Sequence, residues 1–278
     1  MMNDEQRRNI ELENQRIEQN INQIKHRLVV FSGKGGVGKT TVSVNLAYAF
    51  QLTGHKTGIL DADITGPNVP KMIGASGDLL MENNQIIPRI HHGVKIISMA
   101  NLLTPEQAVI WRGPMRSKVI NQFLGDVYWG ELDYLIADLP PGTGDEILTI
   151  TQKMKPEMAI IVTTPQEISL TDSRRAITMA RKMEIPKVTL IENMSGLHCP
   201  NCNHLIEIFG SGGGKRQAQE TGVEFLGEIP MNLKARKLAD DGKPIMFEDE
   251  NADISRSMIQ IVKKIKKLVE ADQHAVVE

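Results

Sequence analysis

The sequence predicts an α/β protein with a mostly parallel central sheet, helices on both faces and a small peripheral β-hairpin. Three observations carry this expectation. Short apolar runs recur along the chain, as strands buried on both faces require. Helix-period segments alternate with those runs, the pattern of a parallel sheet. Gly- and Pro-rich turns bearing aspartates follow the runs, at the strand ends where open α/β sheets bind ligands.

Taken in order, residues 3–26 are rich in Glu, Gln, Asn and Arg, with Ile10, Ile17, Ile21 and Ile24 on a narrow helical stripe. This predicts a polar helical extension over 1–26 that docks weakly or frays, with a partner-binding arm as the alternative. From Arg27 onward one domain is expected, since neither a linker nor a repeat interrupts the pattern. Its strands are read at Arg27–Ser32, Lys56–Asp61, Tyr134–Asp138, Met158–Thr163, Val188–Ile191 and Val223–Leu226. Helices are expected at 40–51, 114–125, 145–154, 168–184, 213–221 and 252–270. Two alternating segments between Gln85 and Met99, around His91-His92-Gly93, predict the hairpin.

Composition narrows the function classes. A net charge of −2 announces no global basic field for nucleic acid. Two cysteines in 278 residues make no disulfide framework and favour a reducing interior. The polar stretch from Met1 to His26 lacks the apolar segment of a secretory signal, and no run reaches the length of a membrane span. The expectation is a cytoplasmic protein with neither nucleic acid nor membrane as partner.

The strongest motif is Gly33-Lys34-Gly35-Gly36-Val37-Gly38-Lys39-Thr40. Gly33, Gly38, Lys39 and Thr40 meet the phosphate-loop pattern G-x-x-x-x-G-K-[ST]. Glycines let backbone N–H groups close around phosphate oxygens, Lys39 reaches the β- and γ-phosphates, and the Thr40 hydroxyl can ligate Mg²⁺. The loop joins an apolar strand to a helix N-terminus, which is itself an anion site. The fold class sharpens to a P-loop NTPase that binds ATP through Gly33 to Thr41.

Asp138 ends an apolar strand and opens Asp138-Leu-Pro-Pro-Gly-Thr-Gly-Asp145, as a residue holding hydrated Mg²⁺ should. Asp63, in Leu60-Asp61-Ala62-Asp63, is suited to orient or deprotonate the attacking water. Lys34 is not demanded by an ordinary P-loop. It is either a solvated surface lysine or a cation that reaches a partner subunit's phosphates, like an arginine finger in trans.

Cys199-Pro-Asn-Cys202 places two thiolates to grip one metal centre. One chain supplies two, whereas zinc sites and [4Fe–4S] clusters usually take four. His198 and His204 lack the spacing of a zinc finger. A two-fold dimer would present two plus two cysteines, suited to a cluster or to zinc; a thioredoxin-like redox pair fits less well.

These motifs, with Asp61-Ala-Asp-Ile-Thr-Gly-Pro67, Trp111-Arg-Gly-Pro-Met115 and Glu192-Asn-Met-Ser-Gly196, occur in an order that resembles the Mrp/ApbC family of ATP-dependent iron–sulfur cluster carriers. That family is related to the nitrogenase iron protein and to MinD/ParA ATPases. The resemblance runs from about Arg27 past Pro244. It implies a homodimer with ATP near the interface and a labile [4Fe–4S] cluster bridging Cys199 and Cys202 of both subunits. It further implies that Lys34 acts across the interface, that Asn193 recognises adenine, and that the cluster passes from donors to apo-proteins with ATP hydrolysis. Some relatives carry a further N-terminal cysteine cluster; residues 1–26 here contain no cysteine.

Two other readings stay open. A MinD/ParA-like positioning ATPase would use the stripe Ile254, Met258, Ile261, Ile265 and Leu268 with its neighbouring lysines on a membrane, although such stripes usually pack on a core. A zinc-clamped dimeric scaffold would use the same cysteines. Gly210-Ser-Gly-Gly-Gly-Lys215 fails the phosphate-loop pattern and reads as a flexible lead into a helix. His91-His92 reads as a solvated tip, the fourteen methionines as core filler, and Arg112 as an interface or client residue.

Overall fold

β1 (Ile24–Phe31) buries Leu28, Val29, Val30 and Phe31 completely, so it can only lie inside a sheet covered on both sides. The computed structural model describes residues 4–63, 66–75, 77–102, 113–142 and 144–275. Among these, nine strands form one sheet. β7 (Leu132–Asp138) and β8 (Met158–Thr163) flank β1 in parallel. Outside β7 come β2 (Thr57–Asp61) and β6 (Val94–Ser98), also parallel. Outside β8 come β9 (Lys187–His198) and β11 (Glu224–Met231), parallel again. Two short antiparallel strands finish it, β5 (Arg89–His91) on β6 and β10 (Leu205–Ile206) on the far end of β9.

Alternate residues of β1 feed two cores. Val29 and Phe31 join a layer with α1 (Asp4–Ile21), α4 (Gly113–Gly125), α5 (Asp145–Met154), α6 (Glu167–Lys182) and α7 (Gly213–Thr221). Leu28 and Val30 join the opposite layer with α2 (Lys39–Leu52), α3 (Val69–Met72), α9 (Ile245–Glu248) and α10 (Asp253–Ala275), while Leu238 of α8 (Leu233–Asp240) packs against it. The stripe Ile254, Met258, Ile261 and Ile265 is buried in this second core, so it is not a free amphipathic face. No helix among the described residues is long and apolar enough to cross a membrane.

Three elements differ from expectation. Ile24 shares the period of the α1 stripe but is a strand residue paired with Leu132. The helix does not simply fray: Ile17 and Ile21 are buried, and the Asn20 amide donates to the carbonyls of Leu124 and Val127 at 2.7 and 2.8 Å. Only its earlier turns stand in solvent, with Ile10 and Leu12 exposed. The hairpin foreseen at His92-Gly93 is present, and a second, unforeseen one precedes it. β3 (Leu80–Glu82) pairs with β4 (Gln85–Ile87) through Asn83-Asn84, and β5 pairs with β6 through His92-Gly93. All four turn residues have positive φ, the requirement of a tight type I′ connection.

The histidine tip is docked rather than merely solvated. Tyr48 of α2 lies 2.6 Å from His91 Nδ1, and the His92 ring stacks on Phe247 of α9 at 4.1 Å. Burial pushes the Tyr48 hydroxyl well above its ordinary range, so it stays protonated and shares a hydrogen bond with His91 Nδ1. Burial, and then the neighbouring His92, hold His91 below the usual imidazole value. The unfolded chain therefore binds more protons at this residue, and stability falls as pH drops below about 6.5. Melting temperatures at pH 7.5 and 5.5 check this: the acid-induced drop should be smaller in His91→Gln than in the parent chain.

Candidate functional site

The carboxyl ends of β1, β2, β7 and β9 meet at one edge of the sheet and carry most of the predicted residues. The phosphate loop leaves β1 and closes into α2. Gly38 caps that helix with φ +80°, and a Cβ there would lie 2.3 Å from the Asn193 amide nitrogen. Gly33 is needed for a different reason: a Cβ would stand 2.1 Å from the backbone oxygen of Asp172 in α6. Gly33 thus seats the loop on α6 and does not line the cavity, while Val37 is buried.

Lys39 and Asp138 are both buried and lie 2.8 Å apart, Nζ to Oδ1; Asp63 Oδ2 is 3.8 Å from the same ammonium. Thr40 Oγ1 donates to Asp138 Oδ2 at 2.7 Å, and Ser43 Oγ donates to Oδ1 at 2.7 Å. A hydroxyl and a carboxylate in contact are the all-oxygen donor set that suits a hard cation such as Mg²⁺. Ser43 escaped the sequence reading because it lies past the motif, one helical turn after Lys39.

Asp61 was read only as a strand-end residue, yet it is the inner anchor of this carboxylate group. It pairs with Asp138 in register and is fully buried. Its oxygens accept from Ser98 Oγ at 2.7 Å and from the N–H groups of Val69 and Asp63. Burial and then the Asp138 carboxylate push Asp61 above the ordinary carboxyl range. Asp63 Oδ1 in turn accepts from Gly66 N–H at 3.2 Å. Ile64, Thr65, Thr143, Trp111 and Arg112 fall outside the described residues.

A cavity of about 660 Å³ opens over the loop. Gly35, Gly36, Gly38, Lys39, Thr40 and Thr41 line it. Met194, Pro230, Met231, Leu233 and Arg236 line it as well. Asn193 sits on the wall with its amide donating to the Val37 carbonyl at 2.8 Å. Lys34 is half-exposed and does not line the cavity.

The cysteines lie elsewhere on the same side of β9. That strand runs to His198, well past Ile191, and the thiols occupy the turn of the antiparallel β9–β10 hairpin. Cys199 N–H donates to the His204 carbonyl at 2.9 Å, and Asn203 N–H to the Cys199 carbonyl at 2.8 Å. Cys199 is half-buried and Cys202 exposed, both as free thiols. Backbone N–H groups of Asn201 and then Cys202 hold the Cys199 thiol below its ordinary value, which favours the thiolate that ligates metal. Among the described residues no set of three or more His, Cys, Asp or Glu converges as a metal site. Leu205, Ile206 and Ile208 beside the turn are exposed.

Known proteins resemble this arrangement along nearly its whole length. An iron–sulfur cluster carrier protein of Methanocaldococcus jannaschii is 52% identical over 260 residues, covering 92% of this chain and 89% of that one. The iron–sulfur cluster transfer protein NUBPL of Dictyostelium discoideum is 40% identical over 250 residues, covering 89% and 77%. A nucleotide-binding protein of Archaeoglobus fulgidus in complex with ADP superposes with a TM-score of 0.75 at 38% identity, covering 86% of this chain and 94% of that one. MinD of Pyrococcus furiosus shares the fold, with a TM-score of 0.64 at 20% identity. The family described as NUBPL iron-transfer P-loop NTPase matches residues 23–266, and the chain belongs to that family.

Proposed function

We propose that this protein is an ATP-gated carrier that binds a [4Fe–4S] cluster between two copies of itself and transfers it to apo-proteins. The observation that carries the reading is one fold holding both a complete phosphate loop and a two-thiol hairpin that is only half a ligand set. Four thiolates are the usual complement for such a cluster. A two-fold axis at the hairpin supplies them, and the exposed Leu205, Ile206 and Ile208 give that contact apolar surface.

Each residue then has a task. Gly35 to Thr41 surround the phosphates with N–H donors, and Lys39 leaves Asp138 for the β- and γ-phosphates. Thr40 and Asp138 hold Mg²⁺, which neutralises charge on the phosphates when bound. Asp63, beside the Lys39 ammonium at 3.8 Å, orients the attacking water. Lys34, turned away from its own cavity, reaches the neighbouring subunit's nucleotide, so ATP binding draws the dimer closed. Asn193 keeps its amide on Val37 and offers its remaining oxygen to the adenine. Donors load the hairpin and client apo-proteins unload it, in a reducing compartment where both thiols stay free.

Anaerobic reconstitution with iron and sulfide tests the proposal. About four irons and four sulfides per dimer, with visible absorption, are expected from a four-thiolate centre. A colourless dimer holding zinc would replace the carrier by a zinc-clamped scaffold. A protein that holds no metal would favour a positioning ATPase.

A further inference from the structure

Glu192 is a fully buried carboxylate that the nucleotide chemistry leaves unused. It stands in β9, in register with Thr163 of β8 and Glu228 of β11. A charge so placed persists only where donors replace its water. Ser195 Oγ donates to Oε1 at 2.6 Å and Gly212 N–H to the same oxygen at 3.1 Å. Gly214 N–H donates to Oε2. The two glycines head α7, whose N-terminal dipole adds to the attraction. Gly214 leaves no room for a side chain, since its Cβ would lie 2.9 Å from Glu192 Cβ. The run Gly210 to Lys215 is therefore not a loose lead into a helix; its N–H groups enclose an internal anion.

The chain beyond Glu192 visits each functional part in turn. Asn193 donates to the phosphate loop, and Met194 lines the nucleotide cavity with φ +61°, a conformation few side chains adopt. Ser195 folds back onto Glu192. Gly196 takes φ +86°, Leu197 and His198 pair with β10, and Cys199 follows. With Glu192 clamped, a shift of the loop cannot be absorbed at the base of this segment.

We propose that Glu192 is a positioning residue: gripped by Ser195 and the start of α7, its carboxylate makes the segment from Asn193 to Cys199 a stiff connection between nucleotide and thiols. The purpose of that connection rests on the carrier reading, but its mechanics can be tested without a cluster. Amide hydrogen exchange of the cluster-free protein, with and without Mg·ATP, reads both ends separately. Glu192→Gln turns an amide NH₂ toward a backbone donor and removes the charge. Losing a buried charged hydrogen bond should speed exchange across 195–207 roughly tenfold.

In the parent chain Mg·ATP should slow exchange at both the phosphate loop and 195–207. In Glu192→Gln the loop should keep its protection while the hairpin response disappears. Ser195→Ala, which deletes one donor and no charge, should weaken that response in the same direction. A hairpin response equal in parent and Glu192→Gln would overturn the proposal, and so would a parent hairpin indifferent to nucleotide. Iron loading measured in parallel judges the carrier reading on its own: a responsive hairpin that binds no iron would sink that reading and leave the coupling standing.

Discussion

Lys39→Ala should lower ATP turnover by roughly a hundredfold or more, the usual loss when one charge-stabilising group is removed from a reacting centre. A steady-state phosphate-release assay measures it, and an unchanged rate would remove Lys39 from the phosphate site. A second effect separates this lysine from a simple binding residue. Its ammonium lies 2.8 Å from a carboxylate with no solvent exposure. Stripping one partner from a buried pair costs about 3–5 kcal/mol. Thr40 and Ser43 still donate to Asp138, so the loss should sit at the lower end of that range. The nucleotide-free variant should melt earlier than the parent, and Lys39→Ala with Asp138→Asn should regain part of the difference.

Cys199→Ala or Cys202→Ala should abolish stable iron loading while nucleotide affinity stays within about threefold of the parent. The turn does not depend on the thiols for its shape: Cys199 and Asn203 close it through backbone hydrogen bonds, with Asn203 at φ +58°. An exposed or half-exposed Cys→Ala change of this kind shifts stability by no more than about 0.5 kcal/mol. Iron content after anaerobic reconstitution and nucleotide titration on the same sample give the answer together. Equal loss of both activities would mean that the cysteines support the fold rather than the cargo.

Much of this architecture could be read from residue pattern alone. The apolar runs at Leu28–Phe31, Tyr134–Ala137 and Met158–Val162 are buried on both faces, and nothing competes with the strand reading there. Places where the pattern misled have local causes. Ile24 fits the helical period of Ile17 and Ile21, yet pairing with Leu132 decides its state. β9 outruns its apolar stretch because Met194 and Gly196, both at positive φ, interrupt the alternation without ending the strand. The Asn83-Asn84 turn lacks the glycine that usually marks a two-residue hairpin.

At the site, the motifs single out the loop, Asp63 and Asp138 in sequence, and the structure sets both carboxylates beside Lys39. Asp61, Ser43 and Glu192 were not legible there, since their importance comes from burial and from donors distant in sequence. A signal existed for Glu192 nonetheless. Three consecutive glycines ahead of a helix expose a row of N–H groups, and an anion is what such a row collects.

The strand order also dictates when the molecule becomes competent during synthesis. β1 carries the phosphate loop near the start of the chain, but its two neighbours in the sheet are β7 and β8. A ribosome must therefore release everything through Thr163 before the loop has both walls of its bed, and Asp138 before Lys39 has its counter-ion. Until then the nascent loop is a glycine-rich segment with an unpaired strand beside it, exposed to wrong pairings and to slow, long-range closure. Nucleotide affinity in this protein should arise late and abruptly along the growing chain.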